Sequence, residues 1–235
     1  MQLSKRMQMI ADMVKPADCI ADIGTDHGYI PIWLAENGIT KHVIAADVRK
    51  GPLSRAQEHV REYGLQEYIE LRLGDGLRVL SPGEADRIII AGMGGLLMIE
   101  ILSDCPEIAA QTKELILSPQ SDIDAVRRYL HDIGFRIEAE DMTVEDGKYY
   151  TVMRCRHGED CIYTPEDYLY GKILIDNSHS VLADYLNHKM QKTQEIICRL
   201  TASNTEKSRK RIEELEQETS LMSTAIMRMR GAGLS

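Results

Sequence analysis

A strand–turn–helix unit near the N-terminus constrains the fold of this chain more than any other stretch. Residues 19–23 (CIADI) form a short apolar run that predicts a buried parallel strand, and residues 29–37 have helical periodicity. Gly24 allows the backbone to approach a ligand closely, and Gly28 opens the helix, whose free N–H groups favour an anionic group. A second apolar run ends in Asp47. A carboxylate at that position of an open α/β sheet binds ribose hydroxyls, so the sequence predicts a nucleoside-binding site.

The chemistry of the turn narrows the class of nucleoside. A dinucleotide-binding turn requires three glycines in the spacing G-x-G-x-x-G, whereas residues 24–28 read GTDHG and lack the middle glycine. Asp22 and Asp26 would repel a pyrophosphate, but they would not repel a cationic sulfonium ligand that carries an amino group. The turn resembles the D-x-G-x-x-x-G loop of class I S-adenosylmethionine (SAM) methyltransferases. Together with a carboxylate on the next strand, it favours the binding of that cofactor.

Length and charge set the size of the fold and restrict its partners. The 235 residues are enough for one α/β domain and an appendage, and 43% hydrophobic residues supply a core. The net charge of −9 argues against a strongly basic nucleic-acid-binding protein. The charge is uneven, because residues 1–162 carry 18 basic and 27 acidic residues, residues 163–185 carry 1 and 4, and residues 186–230 carry 9 and 6. The last of these segments is therefore the basic face of the chain.

Cysteine content and hydropathy indicate a cytoplasmic protein without a structural metal site. Five cysteines, an odd number without metal-type spacing, are typical of a reducing compartment. The predicted N-terminal helix, residues 2–14, is charged and amphipathic and has no signal-peptide core. No apolar run approaches the length of about 18 residues that a membrane span requires. We expect a cytoplasmic protein that binds no metal. The sequence leaves the oligomeric state open, with a monomer favoured.

The rest of the chain up to residue 162 alternates between strands and helices and predicts a doubly wound, mostly parallel sheet. Parallel strands are predicted at residues 19–23, 42–47, 68–73, 87–91 and 115–117. Helices are predicted at residues 2–14, 29–37, 50–63, 96–102 and 122–133. Two further strands, residues 135–144 and 149–155, flank the turn sequence EDGK and predict an antiparallel hairpin at the sheet edge. The sequence thus predicts a seven-stranded, Rossmann-like α/β domain over residues 1–162.

A helical appendage is predicted for residues 163–235. Apolar residues recur at helical spacing from about residue 167 to 201 and from about 205 to 229, and Asn204 offers a break between the two runs. Two long helices with a short connection predict an antiparallel hairpin, or coiled coil. Its candidate RNA-binding residues are Lys189, Lys192, Lys207, Arg209 and Lys210. The alternative is a solvated helix face on which neighbouring glutamates pair with these cations.

Glycines and carboxylates recur where successive predicted parallel strands end. Ligands of open α/β sheets bind at those strand ends, so the residues there are expected to meet at one site. Asp75, after the third strand, is placed to accept a hydrogen bond from an adenine amino group. The candidate cofactor-binding residues are Asp22, Gly24, Gly28, Asp47, Val48, Asp75, Gly76, Ala91 and Gly92.

The order of these motifs resembles that of one methyltransferase family. The segments LSKRM (3–7), ADIGTDHGY (21–29), GDGL (74–77), AGMGG (91–95) and EDGKYY (145–150) together resemble the bacterial tRNA (adenine-N1)-methyltransferases that modify adenine 22. The resemblance covers the whole chain, and its most specific parts are the D-I-G-[ST]-D-H turn and the AGMGG segment. It implies a class I methyltransferase domain, SAM as the methyl donor and tRNA as the acceptor. The [N/D]-P-P-[Y/F] motif of methyltransferases that act on exocyclic amines is absent.

The chemistry of that reaction sets the roles expected of the site residues. Adenine N1 has a free lone pair and can attack the methyl group without a general base, and the product is cationic. The enzyme must align the two centres, which can contribute roughly 7–11 kcal/mol, and must stabilise positive charge. Asp26 is the first candidate for that carboxylate, and His27 beside it is the second candidate catalytic residue. The candidates for contacts with the target nucleotide are Arg6, Tyr29, Met93, Gly94, Gln120 and Tyr149.

Two other functions remain open at this point. One is a methyltransferase of the same fold that acts on a protein or a small molecule, with the hairpin as a dimerisation module. The other is a non-enzymatic RNA-binding protein that keeps only the fold. Titration with SAM distinguishes the non-enzymatic protein from either methyltransferase. An assay of methyl transfer to tRNA and to protein extract distinguishes the tRNA methyltransferase from the other methyltransferase.

Overall fold

The computed structural model describes residues 1–203 and 205–232, and a seven-stranded sheet forms the centre of its N-terminal unit, Met1–Asp160. The strands are β1 (Cys19–Ile23), β2 (His42–Asp47), β3 (Ile69–Leu73), β4 (Arg87–Ala91), β5 (Glu114–Ser118), β6 (Phe135–Glu145) and β7 (Lys148–His157). Their order is β3-β2-β1-β4-β5-β7-β6. The first five are parallel, and β7 runs antiparallel to both β5 and β6. This confirms the predicted mostly parallel sheet with an antiparallel edge.

Six helices belong to this unit, of which the first precedes β1 and the other five lie between strands. They are α1 (Lys5–Met13), α2 (Tyr29–Glu36), α3 (Lys50–Glu62), α4 (Gly95–Ser103), α5 (Pro106–Gln111) and α6 (Ile123–Asp132). The first begins at Lys5 rather than at residue 2, because the Ser4 hydroxyl accepts a hydrogen bond from the Met7 N–H and caps the helix. Neither α5 nor a 3-10 turn at Gly76–Val79 was predicted, since both are too short to show a helical period.

The core of the N-terminal unit forms where apolar helix faces cover the buried strands. Met9 and Ile10 of α1, and Val14 just after it, pack with strand residues such as Ile20 and Ile89. Every residue of β1 and β5 is buried, as expected for central parallel strands. The antiparallel edge is held differently, by a buried ion pair between Arg127 Nη2 of α6 and Glu140 Oε1 of β6 at 2.8 Å.

The second unit, Cys161–Ser235, contains four helices in its described part. They are α7 (Pro165–Tyr170), α8 (Lys172–Asp176), α9 (Ser180–Ser203) and α10 (Glu206–Ala232). The single helix predicted for residues 167–201 is therefore wrong. The helix is interrupted at Gly171, with φ +92°, and at Ser178, with φ +50°, because residues of an α-helix have negative φ. Asn204, the predicted break between the long helices, lies outside the described residues.

The two long helices of the second unit form the predicted antiparallel hairpin. The Ser178 hydroxyl, just before α9, donates a hydrogen bond to the Met229 carbonyl near the end of α10, and Lys189 pairs with Glu218 nearer the other end of the hairpin. Partners thus run in opposite directions along the chain. Arg228 of α10 forms salt bridges with both short helices, with Asp167 Oδ1 of α7 at 2.8 Å and with Asp176 Oδ1 of α8 at 2.7 Å. None of the described helices has the length and apolar character needed to cross a membrane.

Candidate functional site

A cavity of about 670 Å³ opens at the carboxyl ends of the parallel strands in the N-terminal unit. This volume lies within the range of small-molecule sites, roughly 300–1,000 Å³. The predicted site residues that line it are Arg6, Asp22, Gly24, Asp26, Tyr29, Asp47, Val48, Asp75, Gly76, Ala91, Gly92, Met93 and Gln120. The fold therefore brings the chemistry of five strand ends and of α1 into one place.

The loop after β1 is fixed to the neighbouring strand by its backbone. The N–H groups of Gly24 and Thr25 both donate to the Ala46 carbonyl at 2.8 Å. Gly24 has φ +78°, and a Cβ atom there would collide with the terminal methyl group of Met93. Glycine is favoured here mainly by the positive φ, because the flexible Met93 side chain could move away from an added Cβ. Gly28, with φ +71°, does not line the cavity, because it lies against α3, where an added Cβ would be 3.2 Å from Ala56 Cβ.

Two buried carboxylates form part of the cavity wall. Asp22, at the middle of the sheet, is 5% exposed. Burial raises the pKa of its carboxyl to about 6, the Thr25 side chain opposes this increase, and the negative charge of Asp47 adds to it. Because burial disfavours the anion and no positive charge offsets it, a cationic ligand group beside Asp22 would be stabilised.

Asp47 and Asp75 are partly engaged by arginines of their own segments. Asp47 Oδ1 accepts a hydrogen bond from the Arg49 N–H at 2.7 Å, whereas its Oδ2 atom makes no hydrogen bond to any described residue. Asp75 Oδ2 lies 3.3 Å from Arg78 Nη1 on the surface, and Arg78 also pairs with Asp104 at 2.6 Å. Each aspartate therefore keeps acceptor capacity for a ligand.

Asp26 and His27 lie in the same loop but differ in their surroundings. Asp26 lines the cavity with an exposed carboxylate, whose Oδ1 atom is 3.4 Å from His27 Nε2. His27 has the left-handed φ of +62° and does not line the cavity. Its ring stacks with that of Tyr29 at 5.4 Å and with that of His59 at 5.8 Å. Asp26 and Tyr29 thus face the cavity, and His27 supports the loop behind them.

Arg6 and Gln120 lie together at the opposite end of the cavity. A Cβ atom on Gly92 would be 3.7 Å from Arg6 Nη1 and 3.9 Å from Gln120 Nε2. The Arg6 guanidinium lies over the ring of Tyr150 at 5.1 Å, and the Arg6 N–H donates to Glu145 Oε1 at 3.4 Å. The Arg6 Nε atom is buried and has no hydrogen-bond partner.

Two predicted substrate contacts lie away from the cavity lining. Gly94 abuts the hydroxyl of Ser121, at 3.1 Å from the position of an added Cβ, and Tyr149 lies on β7 opposite Val144. Conversely, the cavity lining includes residues that sequence reasoning missed: Met7, Ile10, Arg49, Arg55, Leu97 and Ile101. Arg49 could have been found from its position two residues after Asp47, but the others depend on how each helix is rotated. The described residues include no cluster of His, Cys, Asp or Glu able to hold a metal ion.

The candidate RNA-binding cations of the second unit fall into two groups. Lys189 Nζ lies 2.5 Å from Glu218 Oε1 and 6.0 Å from the ring centroids of Tyr170 and Tyr185. For Lys189 the structure thus agrees with the alternative in which a glutamate pairs with the cation. The remaining candidates have exposed side chains: Lys192, Lys207, Arg209 and Lys210.

Comparison with known proteins places this geometry in a family. Residues 3–153 match the family model described as a methyltransferase domain. The chain is 32% identical to the tRNA (adenine(22)-N(1))-methyltransferase of Bacillus subtilis, over 96% of this chain and 98% of that protein. The crystal structure of the B. subtilis m1A22 tRNA methyltransferase superimposes with a TM-score of 0.85, at 32% identity, and covers 96% of this chain and 99% of that one.

A second similar structure contains a ligand. It is that of a Streptococcus pneumoniae protein proposed to be a tRNA (m1A22) methyltransferase, in complex with S-adenosyl-L-methionine. It superimposes with a TM-score of 0.82 at 31% identity and covers 95% of this chain and 99% of that one. The similarity spans the methyltransferase domain and the helices that follow it, and it agrees with the cavity at the strand ends. The chain therefore belongs to the tRNA (adenine(22)-N(1))-methyltransferase family.

Proposed function

We propose that this protein transfers a methyl group from SAM to N1 of adenine 22 in tRNA. The observation that carries the proposal is the end-to-end match to a relative with this activity, which extends over 96% of the chain. The cavity supports it independently, because its wall combines carboxylates for a cationic nucleoside with a glycine turn that admits a ligand close to the backbone.

The residues present fit SAM. The free Oδ2 atom of Asp47 is suited to ribose hydroxyls, and Asp75 to the adenine amino group. The buried carboxylate of Asp22 suits the positive charge of the ligand, and Gly24 leaves space beside β1. When bound, SAM supplies an electrophilic methyl group on its sulfonium.

The remaining cavity residues are assigned to the acceptor adenine. The exposed carboxylate of Asp26 stabilises the positive charge that develops on the base, which a fixed acceptor does without reorganisation. Tyr29 and Gln120 orient the ring, and His27 holds the loop that bears Asp26. A base in a folded tRNA must first leave its stack, at a cost of a few kcal/mol, so contacts with the extruded base contribute to binding and to alignment.

We assign tRNA binding mainly to the second unit. The N-terminal unit, residues 1–160, carries 18 basic and 27 acidic residues and repels a polyanion at long range. The exposed cations Lys192, Lys207, Arg209 and Lys210 offer phosphate contacts that counteract this repulsion. On this proposal residues 163–235 act as a tRNA-binding arm. On this proposal the protein acts in the cytoplasm.

The test is methyl transfer from labelled SAM to defined RNA. We expect incorporation into a tRNA transcript with adenine at position 22 and loss of incorporation when guanosine replaces it. Methylation of N1 blocks the pairing edge of adenine, so reverse transcription of the product should stop at that position. A matched transcript with a different adenine replaced controls for folding of the RNA. Incorporation into a protein extract, but into neither transcript, would overturn the proposal in favour of a protein methyltransferase.

A further inference from the structure

The order of the strands sets the direction in which a nucleoside ligand lies across the cavity. Asp75 follows β3, Asp47 ends β2 and Gly24 follows β1, and these strands are adjacent in the sheet. On the proposed function, adenine lies over β3 and ribose over β2, so the amino-acid part of SAM extends past β1 towards β4. The loop after β4 begins with Gly92, beside which the Arg6 guanidinium lies.

Arg6 differs from the other cations that line the cavity. Arg49 is held by Asp47 at the ribose end, and Arg55 is an exposed side chain of α3. Arg6 lies at the β4 end, forms no salt bridge with any described residue, and has a buried Nε atom without a hydrogen-bond partner. A buried, unpaired charged donor is costly, so this position favours an anionic ligand group. The cation–π contact with the Tyr150 ring restrains the orientation of the Arg6 guanidinium.

We propose that Arg6 binds the carboxylate of the methionine part of SAM, an inference that rests on the proposed function. That end of SAM carries both an amine and a carboxylate. The aspartates of the cavity wall suit the amine and repel the carboxylate, so the carboxylate requires a cation at the same end. Arg6 provides one, and a guanidinium can donate two parallel N–H bonds to a carboxylate. This replaces the contact with the target nucleotide that the sequence suggested for Arg6.

The anchoring of α1 supports the same assignment. Ser4 Oγ donates to Glu145 Oε2 at 3.2 Å and the Arg6 N–H to Glu145 Oε1 at 3.4 Å, so one carboxylate of the β6 end fixes the first turn of the helix. Ile10, one turn further on, is 2% exposed and packs in the core. The backbone of Arg6 is thus held in place before any ligand arrives.

Binding of two ligands to the purified full-length protein tests the proposal. Decarboxylated SAM keeps the sulfonium and the amine and lacks only the carboxylate. In calorimetric titrations, Arg6→Gln should weaken SAM binding by a factor of about 10–100, as expected for a hydrogen-bonded charge, and should change binding of decarboxylated SAM less than threefold. Lys5→Gln, at an exposed position of the same helix turn, is the matched control and should change neither.

Other outcomes overturn the proposal in distinguishable ways. Equal weakening of both ligands would show that Arg6 acts through the shape of the cavity and not on the carboxylate. Unchanged SAM affinity combined with weaker tRNA binding would return Arg6 to the acceptor. If the wild type bound neither ligand, both the proposed binding of SAM and the proposed role of Arg6 would be refuted. Methyl transfer to an acceptor other than tRNA would overturn the proposed acceptor and leave the role of Arg6 intact.

Discussion

The Nδ1 atom of His59 lies 2.9 Å from the carbonyl oxygen of His27 and joins α3 to the loop that follows β1. His27 adopts a left-handed backbone conformation that costs a non-glycine residue roughly 1–2 kcal/mol, and the contact with His59 offsets part of that cost. The rings of both histidines also stack with Tyr29. His59 therefore positions the segment that carries Asp26, although it does not line the cavity.

Two substitutions of His59 separate the hydrogen bond from the ring. His59→Phe keeps the stacked ring and loses the donor, and it should lower kcat for tRNA by about 3–10-fold, the effect of one lost hydrogen bond. His59→Asn places an amide donor near the position of Nδ1 and should restore most of kcat. The dissociation constant for SAM, measured by calorimetry, should stay within threefold in both. If Asn were as impaired as Phe, the hydrogen bond would not be what positions the loop.

Replacement of Asp47 tests the ribose contact. Asp47→Ala removes the acceptor and should weaken SAM binding by on the order of 1–3 kcal/mol, as expected for a lost buried polar pairing. Glu67→Ala, an exposed carboxylate of the same unit, controls for the change in net charge. Calorimetric titration of both variants measures the difference. An unchanged dissociation constant in a folded Asp47 variant would contradict the proposed orientation of the ligand.

Asp26→Asn should separate catalysis from cofactor binding. The amide keeps the size and hydrogen-bonding reach of the side chain and loses the charge that stabilises the cationic product. We expect turnover to fall by about 10–100-fold, with SAM affinity kept within a few-fold, because a preorganised charge acts mainly in the transition state. Single-turnover methylation measures the first quantity and calorimetry the second. A collapse of SAM affinity would make Asp26 a cofactor ligand.

Asp22 predicts how stability depends on pH when no ligand is bound. Burial raises the pKa of its carboxyl from 3.8 to about 6 in the folded protein. Between about pH 4 and pH 6 the unfolded chain has lost this proton and the folded chain retains it, so the free energy of unfolding falls by roughly 3 kcal/mol as the pH rises. Asp22→Asn removes this dependence. The free energy of unfolding of the variant, minus that of the wild type, should therefore be larger above pH 6 than at pH 4. Urea unfolding at both pH values checks this, and a constant difference would refute it.

Charge reversal on α10 tests the tRNA-binding arm. Changing Lys207, Arg209 and Lys210 to Glu should weaken tRNA binding at least tenfold and reduce the slope of log affinity against log salt by about 2. The matched control reverses three exposed cations of the N-terminal unit: Lys15, Lys41 and Arg61. Equal effects of the two triple variants would indicate a general charge effect. SAM affinity should not change in either.

The strand ends were predictable from sequence because their signals are local. An apolar run that ends in Asp22, Asp47 or Asp75 identifies both the strand and the edge at which its carboxylate lies. His59 and Arg55 were not predictable, because their approach to the loop and to the cavity depends on how α3 packs. The break at Ser178 was missed for a related reason, since a serine with positive φ has no signature in the periodicity of the surrounding residues.

The placement of β7 between β5 and β6 has a consequence for synthesis of the chain. Strand β6 joins the sheet only through β7, so the sheet cannot be completed until residue 157 has been made. The first turn of α1 is anchored to Glu145, at the far end of β6. Helix α1 is made before every strand of the sheet, but its first turn is held only once β6 is in place. A nascent chain therefore gains its complete cofactor site only when the whole N-terminal unit has emerged.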